Sequence, residues 1–175
     1  MTPVRWIGVL VIAGLVAAPA VRAQEIPLPK PGPEHEVLKK LEGTWDATAK
    51  GGPVESKGTM VWKMDLNGLW LKADFDGTFG DTKFHGYGMD SYDPVKKKYV
   101  GVWIDSMSTS PLVLEGTYDK EKKTLTMSGE GPGMDGKPTK YRTVTEMKDN
   151  DNVAFQLFMA DQKDPMMTIT YKRKK

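Results

Sequence analysis

The sequence predicts an all-β fold, an antiparallel up-and-down β-barrel of about ten strands preceded by one short N-terminal helix. Three observations carry this reading. Beyond Gly43 the chain is a succession of short runs in which β-branched, aromatic and methionine side chains alternate with polar ones. The runs are joined by turn chemistry that is too short for anything but antiparallel neighbours. No stretch between them has a helical period, so no βαβ unit is expected.

The chain opens with residues 1–23, in which Arg5 is a basic start, residues 6–18 an apolar run, and Val21-Arg22-Ala23 a small-residue end. This pattern reads as a signal peptide cleaved before Gln24. The apolar run is shorter than the roughly 17–25 residues of a spanning helix. The expected mature protein is therefore secreted or periplasmic, without a membrane anchor. Two of the 25 basic residues, Arg5 and Arg22, leave with this segment, which holds no acid, so basic and acidic side chains balance at 23 each. That balance gives no electrostatic footprint for nucleic acid. The chain has no cysteine, which excludes thiol catalysis, disulfides, Cys-ligated zinc and a lipid-modified cysteine. About 150 mature residues suit a single domain held by its own core.

Residues 24–33, "QEIPLPKPGP", form a Pro-rich leader. The single barrel domain then spans 34–175. In "EHEVLKKL" the acids come first and the lysines last, as the helix dipole favours, and Val37, Leu38 and Leu41 make one apolar stripe. His35, in the first turn, is expected to be exposed. Gly43 ends the helical segment. The predicted strands are 44–50, 57–64, 69–78, 83–92, 99–107, 112–118, 124–130, 140–147, 153–160 and 167–173. "DLNG", "DPVKKK", "DKEKK", "DNDN" and "DQKDP" are the turns between them. So many meandering strands exceed a comfortable flat sheet, and closure removes the exposed edges.

Gly43-Thr44-Trp45, placed after a short helix and at the head of a meander, resembles the opening of lipocalin-like (calycin) barrels. In those barrels the tryptophan closes one end beneath an arginine of the last strand. The resemblance implies that role for Trp45, with Arg173 of "TITYKRKK" as its cover. The blocks "PGPEHEVLKKLEGTW", "GYGMDSYDPVKKKYVGVWIDSMSTSP", "LEGTYDKEKKTLTMSGE" and "MTITYKRK" together resemble a bacterial family of exported proteins known as a domain of unknown function. That likeness implies a lipocalin-like barrel and a signal peptide, and it brings no catalytic residues with it.

No reaction is written in the residues. The chain has two histidines, His35 and His85, with no zinc spacing. "TMSGEG" is not a nucleophile elbow, and "GEGPG" lacks a following lysine and helix. No metal site and no cofactor are expected. The block "VGVWIDSMSTSP" stands out, because alternation puts Tyr99, Gly101, Trp103, Asp105 and Met107 on one face. An acid on such a face needs a partner. Arg142 is the leading candidate, with His85 and Glu115 as others. The network is read either as a salt bridge that sets register or as the polar floor of a pocket. The tentative ligand-binding set is His85, Tyr87, Trp103, Asp105 and Arg142, with Trp62, Trp70, Phe84 and Tyr141 as further aromatic wall candidates.

The function expected is an exported barrel that binds an apolar or amphipathic small molecule. The alternatives are an enzyme of unrecognised type working around Asp105, Arg142 and His85, and a structural or interaction protein with a filled barrel.

Overall fold

Strands joined by tight turns find their partner in the next strand along the chain, and here that rule runs all the way round. The computed structural model describes residues 28–51, 54–133, 136–159 and 161–175; the predicted signal peptide lies outside the described residues. A short helix, α1 (Pro33–Lys39), precedes β1 (Gly43–Gly51), β2 (Val54–Asp65), β3 (Trp70–Phe79), β4 (Thr82–Asp93) and β5 (Lys98–Asp105). β6 (Leu112–Asp119), β7 (Thr124–Pro132), β8 (Pro138–Met147), β9 (Asn152–Met159) and β10 (Met167–Arg173) follow. Among the described residues every strand pairs antiparallel with its neighbour in sequence, and β10 returns to β1 to close a ten-stranded barrel.

The turns use the predicted chemistry. Asp93 Oδ1 accepts from the Val95 and Lys96 amides, and Asp119 Oδ1 from the Glu121 and Lys122 amides. These short side-chain bonds hold the backbone in the reversal and set the register of the hairpin.

α1 begins at Pro33, one residue before the sequence reading placed it, because proline is preorganised for the first helical position. Val37, Leu38 and Leu41 turn onto the barrel and join its core. His35 departs from the expected exposure. It is buried, its Nδ1 accepts from the Gly32 amide at 3.0 Å, and its ring meets Tyr92 edge-on. Packing of the first helical turn across the barrel end encloses it.

The helix-covered end is densely filled. Trp45, Leu38, Leu71 and Val153 are its most completely buried side chains. Trp45 meets Trp62 edge-on with centroids 5.8 Å apart, and Trp62 meets Tyr171 at 4.9 Å. Such aromatic contacts add about 0.5–1.5 kcal/mol each beyond area burial.

Candidate functional site

The inward side chains follow directly from strand alternation. On β4 they are Phe84, Gly86, Gly88, Asp90 and Tyr92; on β5 they are Tyr99, Gly101, Trp103 and Asp105. Tyr92, Tyr99 and Tyr118 form an edge-to-face row beside the helix. The Tyr99 hydroxyl donates to the Glu34 carbonyl at 3.1 Å. Burial, then the nearby Glu34, Tyr92 and Tyr118, push the Tyr99 phenol up to about 12. This row is the floor of the interior.

The other end differs in its burial. Inward residues there, including Phe84, Trp103, Leu112, Phe155 and Met167, pack on the core but are only partly buried. These side chains are less tightly enclosed than those beneath α1.

Trp103 shapes this half. Its indole lies across the inner face of β4, where Gly86 and Gly88 carry no side chain. A Cβ at Gly86 would overlap the ring, and one at Gly88 would stand 3.1 Å from it. The indole nitrogen donates to Asp105 Oδ2 at 2.9 Å, while Asp105 Oδ1 accepts from the Met107 amide at 2.9 Å. Asp105 is therefore held at the rim by its own strand and the turn after it.

This corrects the expected Asp105–Arg142 pair. On β8, Tyr141 and Thr143 turn inward, so Arg142 faces out. Its guanidinium stacks on Phe158, with Cζ 3.7 Å from the ring centroid. Glu115 also faces out and is held by Lys96 and Lys98, which keep its carboxyl below the usual range. His85 and Tyr87 are on the outer face as well. Their rings meet edge-on at 4.6 Å, and His85 stands between Asp76 and Asp74 at 3.4 and 3.8 Å. Of the further aromatic candidates, Trp62, Phe84 and Tyr141 point inward, whereas Trp70 falls on the outer register of β3.

The predicted set thus divides. Trp103 belongs to the interior. His85, Tyr87 and Asp105 border an open groove of about 430 Å³ at the rim, completed by Ile104 and the serine-rich loop after β5. Arg142 belongs to neither. Among the described residues, no three His, Asp or Glu side chains gather as a metal site.

The sequence reading passed over Asp90. Its carboxylate occupies the inner space opposite Gly101, where a Cβ would overlap it, and the Met127 methyl lies 3.3 Å from the same point. Burial raises this carboxyl from 3.8 to about 7. The signal was present in "GYGMD", since Asp90 shares a face with the two glycines that make room for Trp103.

The closed meander, the end-capping helix and Arg173 over Trp45, its guanidinium carbon 4.0 Å from the ring centroid, define a lipocalin-like, calycin-type barrel. Residues 30–173 match the family described as a protein of unknown function, DUF1579, and the chain belongs to that family. No curated protein matches the sequence significantly. Among solved structures, the chain is similar to Rv2717c from M. tuberculosis, with a TM-score of 0.61 and 15% identity over 82% of this chain and 99% of that one. It is also similar to the S-type phycobiliprotein lyase CPES from Guillardia theta, with a TM-score of 0.57 and 10% identity over 81% and 93% of the two chains. At these identities the likeness is one of fold.

Proposed function

We propose that this protein is an exported barrel that takes up an apolar or amphipathic small molecule through the end away from α1 and holds it without transforming it. One observation carries the reading: inward aromatic and aliphatic side chains at that end, Phe84, Trp103, Leu112, Phe155 and Met167, are left partly accessible. An apolar wall open to water gains about 25 cal/mol for each Å² that a ligand covers. The barrel of the Guillardia theta protein belongs to what is by name a phycobiliprotein lyase, which supports a lipocalin-like architecture and is not carried over as an activity. The enzyme alternative needed Asp105, Arg142 and His85 together, and Arg142 is occupied with Phe158 on the outer wall.

Titration of the mature protein with an environment-sensitive apolar dye, read by dye emission and tryptophan quenching, tests the reading. Micromolar affinity, equivalent to roughly −8 kcal/mol, is the expected result. Trp103→Ala weakens binding at least fivefold, and a substitution on the outer wall leaves it unchanged. Absence of saturable binding by any apolar probe overturns the proposal. Export is part of the same reading, motivated by the n-, h- and c-regions of residues 1–23. Intact mass of protein recovered outside the cytoplasm should correspond to a chain beginning at Gln24, and retention of Met1–Ala23 removes that part.

A further inference from the structure

Asp90 is an interior acid with no part in the rim groove or the end lid. It sits a layer above the tyrosine floor, between Leu71 on β3 and Gly101 on β5 in the sheet register. Its environment on the inner face is apolar: Leu71, Gly88, Tyr92, Gly101 and the Met127 methyl. Among the described residues no side chain or backbone group donates a hydrogen bond to its carboxylate, and no cation pairs with it. Every sealed side-chain nitrogen or oxygen among the described residues does have a hydrogen-bond partner. A carboxylate with no partner must therefore touch space that admits water. The residue keeps part of its surface accessible, yet burial is the cause that raises its carboxyl to about 7. Surface that is accessible and enclosed at once faces the inside of the barrel.

An ionised carboxylate in such a place lacks the full hydration it would have in bulk water, and nothing among the described residues replaces it. An unpaired acid of this kind destabilises the apo protein. Replacing Gly101 by any other residue would have filled the seat, and the glycine leaves it free.

We infer that Asp90 is the polar anchor of the interior, and that the small molecule this barrel accepts is a lipophilic amine that enters cationic end first. The inference rests on the small-molecule reading above and deepens it by fixing the charge of the ligand. The ammonium pairs with Asp90 above the tyrosine row, where aromatic faces also favour a cation. The apolar body then lies along Trp103 and Phe84 toward the open end. A fatty acid or other anionic amphipath would bring a second negative group into the same enclosure and is rejected.

Three probes of similar size decide the matter: 4-phenylbutylamine, 4-phenylbutanol and 4-phenylbutyrate, measured at pH 8 by calorimetry and by displacement of an apolar dye. The expected order is amine, alcohol, carboxylate, with at least tenfold between amine and carboxylate. Asp90→Asn should weaken the amine at least tenfold and leave the alcohol within threefold. Gly101→Ala, which keeps the charge and pushes the carboxylate from its seat, should also weaken the amine more than the alcohol. Circular dichroism confirms that each variant is folded. Equal affinity for the three probes, or an amine preference that survives Asp90→Asn, overturns the anchor while leaving the barrel a binder of apolar molecules. Loss of the preference in Asp105→Asn instead of Asp90→Asn places recognition at the rim and overturns it too. If dye and probes all fail to bind, the small-molecule reading falls and the anchor with it.

Discussion

Arg173 lies over the indole of Trp45, its guanidinium carbon 4.0 Å from the ring centroid. The first and last strands meet here, with Trp45 opposite Arg173 in register. The indole nitrogen donates to the Leu41 carbonyl at 2.8 Å, while the guanidinium donates to the carbonyls of Lys40, Glu42 and Asn150. One arginine thus ties the segment after α1 to the β8–β9 turn across the barrel end. Because Trp45 is fully buried, Trp45→Ala should lower stability by about 3–5 kcal/mol. Arg173→Gln, which loses the stacking and the charged donors, should lower it by about 1–3 kcal/mol. Urea denaturation checks both, and a loss below about 1 kcal/mol for Trp45→Ala would contradict its burial.

Gly43 is required for the same lid. Its φ of +136° is unfavourable for an L side chain, and a Cβ would overlap the Arg173 guanidinium. Gly43→Ala should destabilise by roughly 1–3 kcal/mol. In Arg173→Gln the steric part of that loss should shrink, so the two substitutions are less than additive. Full additivity in a double-mutant cycle would show that the glycine answers to backbone strain alone.

Arg142 and Asp105 face opposite sides of the wall, and no ion pair links them. The cycle of Asp105→Asn and Arg142→Gln should therefore be additive within about 0.5 kcal/mol. The coupled partner of Arg142 is Phe158, and the cycle of Arg142→Gln with Phe158→Leu should show about 0.5–1 kcal/mol. Coupling in the first cycle and none in the second would reverse the assignment.

The Asp90 carboxyl is raised from 3.8 to about 7 by burial. The folded state then holds this proton more tightly than the unfolded chain. Its contribution to stability is complete below about pH 4 and is lost as the pH rises through about 7. Asp90→Asn should accordingly change stability little at pH 4 and raise it at pH 8, by roughly 2–4 kcal/mol. Urea midpoints at the two pH values measure this. The same gain at both would mean that the carboxyl is hydrated in the native barrel.

The strands were legible because the signal for each is local. Alternation in 69–78 and 83–92, with "DLNG" and "DPVKKK" at their ends, needs nothing beyond neighbouring residues, and β3 and β4 lie within a residue or so of those bounds. The end lid was legible in another way, through the resemblance of Gly43-Thr44-Trp45 to the opening of lipocalin-like barrels, which implied Arg173 as the cover of Trp45. The candidate site was legible only in part. Alternation grouped Trp103 with Asp105 and His85 with Tyr87 correctly, yet it does not say which of two faces turns inward. Tyr87 and Arg142 are amphipathic enough to serve on either side, and both proved to be outside. His35 was misjudged because its burial comes from α1 lying on Tyr92, a contact between segments far apart in sequence.

By itself the sequence determined the strand order, the turns and the antiparallel meander, all of which follow from period-two patterning and from backbone chemistry within a few residues. Tertiary structure alone decided which face of each strand looks inward, which side chains meet across the barrel, and that Asp90 stands opposite Gly101 with no partner among the described residues. Those outcomes depend on closure between β1 and β10, because only a closed wall has an inside in which a carboxylate can be enclosed.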